Sequence, residues 1–81
     1  MRKYEVIWNK IKEAKPETWV IVSVAHAEMI PTIVNMVRVE KCTQQVSRRK
    51  LELPGFGRME VNREPEKKRV SFRLINSGDS F

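Results

Sequence analysis

The chain has 81 residues, a net charge of +6 and 41% apolar side chains. That length allows a single domain with a modest core, and the apolar share argues against disorder throughout. No apolar run approaches the ~20 residues of a membrane span, and the opening MRKYEVIWNK lacks the uninterrupted apolar stretch of a secretory signal. The lone cysteine, Cys42, cannot form an internal disulfide, so a reducing, cytoplasmic setting is expected.

The first expected element is an amphipathic helix over residues 2–14. Tyr4, Ile7, Trp8 and Ile11 fall at i, i+3, i+4 and i+7, which is one helical face, and at this spacing they read as core. Pro16 is expected to end the helix. Residues 18–24, TWVIVSV, read as a strand that is apolar on both faces.

Residues 25–52 are helical by pattern but carry two apolar stripes. Ile30, Ile33, Val34 and Val37 share one face, and Val39, Cys42 and Val46 share another that points nearly the opposite way. A break near Arg38–Lys41 would turn both stripes to one core. The expectation is therefore two helices, about 27–38 and 42–51, with Pro31 near the start of the first and Thr43 capping the second. One long helix is the alternative, because the joining Arg-Val-Glu-Lys contains no glycine.

Residues 54–57, PGFG, make a turn. Residues 58–63 and 68–75 alternate as two strands. Met59, Val61, Val70, Phe72 and Leu74 point inward, and Arg58, Glu60, Asn62, Arg69, Ser71 and Arg73 point outward. The fold class is α+β, a single domain over residues 1–75 in the order α-β-α-α-β-β. With one long helix the order is α-β-α-β-β. Residues 76–81 form a polar tail expected to fray.

Positive charge is uneven along the chain. Residues 1–37 hold five basic and four acidic groups, whereas residues 38–73 hold eleven basic and five acidic ones. Such asymmetry suggests a polyanionic partner, most often nucleic acid. Candidate contacts are Gln44, Gln45, Arg48, Arg49 and Lys50 on the helix, and Arg58, Arg63, Lys67, Lys68, Arg69 and Arg73 on the hairpin. Gln and Arg match adenine and guanine edges, while Lys and Arg grip phosphate. Phe56 is either a stacking wedge or buried beneath the turn.

Catalytic chemistry finds no pattern here. One His and one Cys cannot build a zinc site, and His26 reads as a helix-start or surface residue. Cys42 reads as a small, mostly buried side chain. No phosphate loop or nucleophile elbow is present. Neither enzyme activity nor a cofactor is expected.

The order of elements, with TQQVSRRKL at 43–51 and GRMEVNREPEKKRVSFRL at 57–74, resembles the winged-helix variant of the helix-turn-helix fold. That resemblance implies a recognition helix at 43–51 in the DNA major groove and a wing whose loop touches the backbone. The basic opening KYEVIWNKIK is also similar to small phage-type accessory proteins. The expected partner is nucleic acid, DNA before RNA, bound by a regulator or accessory factor. A second copy would supply contacts that one small module lacks. The alternative is an interaction module or inhibitor that docks on an acidic protein.

Overall fold

A computed structural model describes residues 3–15 and 17–75. Pro16 and the expected tail at 76–81 lie outside the described residues. The order is helix α1 (Lys3–Glu13), strand β1 (Val20–Ser23), helix α2 (Met29–Lys50), strand β2 (Arg58–Glu64), a single 3-10 turn at Pro65–Lys67, and strand β3 (Arg69–Ile75). The class is α+β, with two helices and a three-stranded antiparallel sheet.

The expected break at Arg38–Lys41 does not occur. α2 runs unbroken for 22 residues, so the order is α-β-α-β-β. The physical reason lies in the join: Arg, Val, Glu and Lys include no glycine or proline, and nothing there favours a stop over another turn. Thr43 is mid-helix and caps nothing. The helix-turn-helix pair needed by the winged-helix resemblance is therefore not formed, and residues 43–51 are the end of one long helix.

Continuity of α2 decides the fate of its two stripes. Ile30, Ile33, Val34 and Val37 are buried. Val39 and Val46 lie on the solvent side, 47% and 52% exposed. Cys42, expected to be buried, is exposed with them. The core-facing stripe continues instead through Lys41, Gln44, Gln45 and Arg48, all half-buried. Long polar side chains can cover apolar neighbours with their stems, so this end of the helix needs no second core.

The sheet order is β1-β3-β2. β3 is central, with Val20 and Val61 both opposite Phe72, and Val22 opposite Val70. Alternation places these residues on the face beneath the helices. There Val70 and Phe72 complete a core with Ile7, Trp8 and Ile11 of α1 and the first stripe of α2. Tyr4, Val20, Val22, Met59, Val61 and Leu74 pack around it, as their periodicity implies.

The two helices run parallel. Tyr4 shares a cavity with Met29, Thr32 and Ile33 near the start of α2, whereas Lys12 Nζ donates to Gln44 Oε1 at 3.0 Å near its end. Beyond α2 the chain reverses. Glu52 takes a left-handed conformation, φ 56°, and the amide of Leu53 returns to the carbonyl of Arg48 at 2.8 Å. Glycine usually fills such a position. Residues 53–57 then fold back on α2. Arg48 Nε donates to the Pro54 carbonyl at 2.5 Å, and the amide of Phe56 donates to Gln45 Oε1 at 3.3 Å. Phe56 is half-buried and meets Trp8 edge to face, with centroids 5.2 Å apart, so it is packed and not a wedge.

Candidate nucleic-acid interface

Two of the four hairpin arginines, Arg69 and Arg73, are engaged within the fold. β2 and β3 register so that Glu64 faces Arg69 and Glu60 faces Arg73. Arg69 grips Glu64 through two bonds, Nε to Oε1 at 2.8 Å and Nη2 to Oε2 at 3.1 Å. Lys67 approaches the same carboxylate at 3.5 Å. Arg73 donates from both Nε and Nη2 to Glu60 Oε1, at 2.7 and 2.6 Å. Its guanidinium also lies over the Trp19 ring, 4.5 Å from the centroid. Arg58 is 3.9 Å from Glu60 and largely exposed. Arg63 and Lys68 are exposed, with Lys68 in the left-handed region at the hairpin corner.

The hydrogen bond from Arg69 holds the Glu64 carboxyl below its ordinary range; partial burial opposes this, and the charges of Arg69 and Lys67 add to it. Glu64 in turn raises the Arg69 pKa. A carboxyl lowered by folding stabilises the native state above its unfolded pKa, and that contribution is lost as pH falls through the folded value. The window therefore opens near the ordinary glutamate pKa, about 4.3, and extends below it. Wild type should melt above Glu64→Gln at neutral pH, and the difference should close in acid. Thermal melts across that range check this. A gap that is constant with pH would mean the pair does not act in solution.

The helix candidates divide differently. Gln44 accepts from Lys12, Gln45 holds the amide of Phe56, and Arg48 is tied to Pro54 and stacked 4.5 Å over Phe56. These three side chains build the return of the chain. Arg49 and Lys50 are exposed, and neither forms an ion pair among the described residues.

The structure brings only part of the hairpin set toward the helix candidates: Arg58 opens β2 there and Arg73 lies opposite Glu60, whereas Arg63, Lys67, Lys68 and Arg69 lie toward the other end. Phe56, just before β2, rests on Arg48, so β2 starts at the C-terminal end of α2. The hairpin corner is at the far end, where the Lys68 carbonyl accepts from the amide of Val24, shortly before α2 begins. Strands of seven residues separate the hairpin corner from the helix candidates by about 20 Å.

What gathers instead is a basic end. Parallel packing brings the finish of α1, with Lys12 and Lys15, beside the finish of α2, with Arg48, Arg49 and Lys50; Arg58 opens β2 at the same end. Glu13, Glu17, Glu52 and Glu60 are the acids nearby, the last shared between Arg58 and Arg73, and positive charge prevails. Basic residues in last helical turns also complement the helix dipoles.

No family model, curated protein or solved structure matches this chain.

Sequence reasoning missed Lys12 and Lys15 because apolar spacing does not reveal whether two helices run parallel. The pairing of Arg69 and Arg73 was within reach: the four residues between Glu64 and Arg69 fix a register that sets Glu60 opposite Arg73. A cavity of about 320 Å³ at the other end is lined by Tyr4, His26, Glu28, Met29, Thr32 and Ile33. His26 is exposed beside the start of α2, as its position implied. No helix is long and apolar enough to cross a membrane among the described residues.

Proposed function

We propose that this chain is a small nucleic-acid-binding module that grips the phosphate backbone with the end where both helices finish. The carrying observation is the pair Arg49 and Lys50, exposed and without ion-pair partners among the described residues, beside Lys12, Lys15 and Arg58. The excess charge of the whole chain points the same way. Because Gln44 and Gln45 are occupied within the fold, contact is with phosphate and not with base edges. Binding therefore follows charge density and depends little on sequence. Duplex DNA is the preferred ligand. The role is that of an accessory or regulatory factor without catalysis or cofactor. An exposed lone thiol fits a reducing, cytoplasmic setting.

Fluorescence anisotropy with random-sequence duplex and single-stranded DNA and RNA, titrated with salt, tests this reading. Wild type should bind at low salt and release steeply as salt rises. Arg49→Gln with Lys50→Gln should weaken binding to all sequences alike and lower the salt slope by about one unit per lost contact. Lys67→Ala with Lys68→Ala, at the opposite end, should change it less. Absence of binding at low salt, or an unaltered slope in the Arg49/Lys50 variant, would refute the proposal.

A second reading has one observation in its favour. Val39, Cys42 and Val46 make an exposed apolar stripe flanked by Arg38, Arg49 and Lys50. Between Glu28 and Glu52 the only acid is Glu40, which lies off that stripe. An acidic amphipathic segment of another protein complements such a surface. Tight binding to an acidic protein, without affinity for random nucleic acid, would select this reading.

A further inference from the structure

The two edges of the sheet are built in opposite ways. β2, at one edge, reads RMEVNRE and presents Arg58, Glu60, Asn62, Arg63 and Glu64. Charges of this kind discourage a further strand from adding. β1, at the other edge, reads VIVS, and residues 18–25, TWVIVSVA, carry no charge and no proline. Apart from its shortness, four residues, none of the usual defences is present there.

The open hydrogen-bonding groups of β1 follow from its register. The amide of Val24 donates to the Lys68 carbonyl at 2.9 Å. In an antiparallel ladder every second residue bonds to the partner strand. Val22 and Val20, opposite Val70 and Phe72, therefore turn their backbone groups toward β3. Ile21 and Ser23 turn theirs outward, and no strand pairs with them among the described residues. The Ile21 side chain is 60% exposed on the sheet face away from the helices, with Trp19, 39% exposed, on the same face.

We infer that two copies of this chain join edge to edge through β1, antiparallel and centred on Ile21, into one continuous six-stranded sheet. The outward amide and carbonyl of Ile21 bond to those of Ile21 in the second copy. Ser23 comes opposite Trp19, and Val20 opposite Val22. The two Ile21 side chains then cover each other on the outer face, the Val20–Val22 pairs extend the layer beneath the helices, and Trp19 comes opposite the small Ser23. The occupant is a second copy because the strand complements itself in this register. The chain carries +6, and like-charged molecules approach at least electrostatic cost where the surface is uncharged. The contact is small, so the dimer is weak and depends on concentration. Salt screens the mutual repulsion, and dimerisation strengthens as salt rises. This is opposite in sign to the binding of nucleic acid, so the two proposals fail separately.

Sedimentation of the full chain, without nucleic acid, from low micromolar to near-millimolar concentration tests the inference together with amide exchange. Wild type should shift from monomer to dimer, more readily in high salt. The Ile21 and Ser23 amides should become protected as the dimer forms. Ile21→Lys places a charge on a solvent-facing position, so the fold should persist, verified by circular dichroism, while the dimer is lost and both amides exchange fast. A wild type that stays monomeric throughout would overturn the inference. So would a dimer in which those two amides remain unprotected, or one that survives Ile21→Lys. Slow exchange at both amides in a strict monomer would overturn it as well.

Discussion

Trp8→Ala lowers stability by about 3–5 kcal/mol, the range for losing a large aromatic side chain from a core. Trp8 is fully buried and is among the largest side chains of the core. It lies on α1 and contacts Phe56 edge to face, so it ties the first helix to the return segment that follows the second. Small domains have about 0.05–0.15 kcal/mol of net stability per residue, so a loss of this size is a large share of the roughly 4–12 kcal/mol that a chain of 81 residues holds. Trp8→Phe should lose clearly less. The indole Nε1 is buried with no hydrogen-bond partner among the described residues, and an unsatisfied buried donor costs about 1–3 kcal/mol. Phenylalanine gives up contact area but removes that penalty. Urea unfolding followed by circular dichroism measures both variants. A loss below about 1 kcal/mol for Trp8→Ala would contradict the packing at this site.

Phe72→Ala should cost a similar ~3–5 kcal/mol, with a wider reach. Phe72 is fully buried on the central strand, opposite Val20 on one side and Val61 on the other. Its loss empties the point where both edge strands and the helical layer meet. Amide exchange should therefore quicken in β1 and β2 together. Loss confined to one strand, or an effect below about 1 kcal/mol, would show that this face of β3 is not the core.

Much of this core was legible because its periodicities are simple. Tyr4, Ile7, Trp8 and Ile11 repeat at helical spacing, and Val70, Phe72 and Leu74 alternate. Each pattern has one interpretation, and each residue packs accordingly. Residues 25–52 carried two apolar stripes, and the premise that both must be buried suggested a break. The helix instead leaves Val39, Cys42 and Val46 in solvent and covers its last turns with Gln45, Arg48 and Phe56. Exposed valines are a tolerable cost on a surface that is always partly apolar. The candidate interface was less legible for a different reason. Residue type marks Arg48, Arg49, Arg69 and Arg73 as equivalent, and only three-dimensional contacts separate those engaged inside the fold from those facing outward.

The position of β3 also bears on how the molecule reaches this shape. It is the last described strand in the sequence, yet it is central to the sheet. The β2–β3 hairpin closes across a short turn and can form in about 1–10 μs. β1 has no partner until that hairpin exists, and its ladder closes a loop running from Ser23 to Arg69. Loops of that length delay contact more than they weaken it. During synthesis, α1, β1, all of α2 and β2 must therefore emerge before any sheet can form. Through that interval the apolar segment TWVIVSV waits without a mate, and docking of β1 is the late step that commits the chain to its native topology.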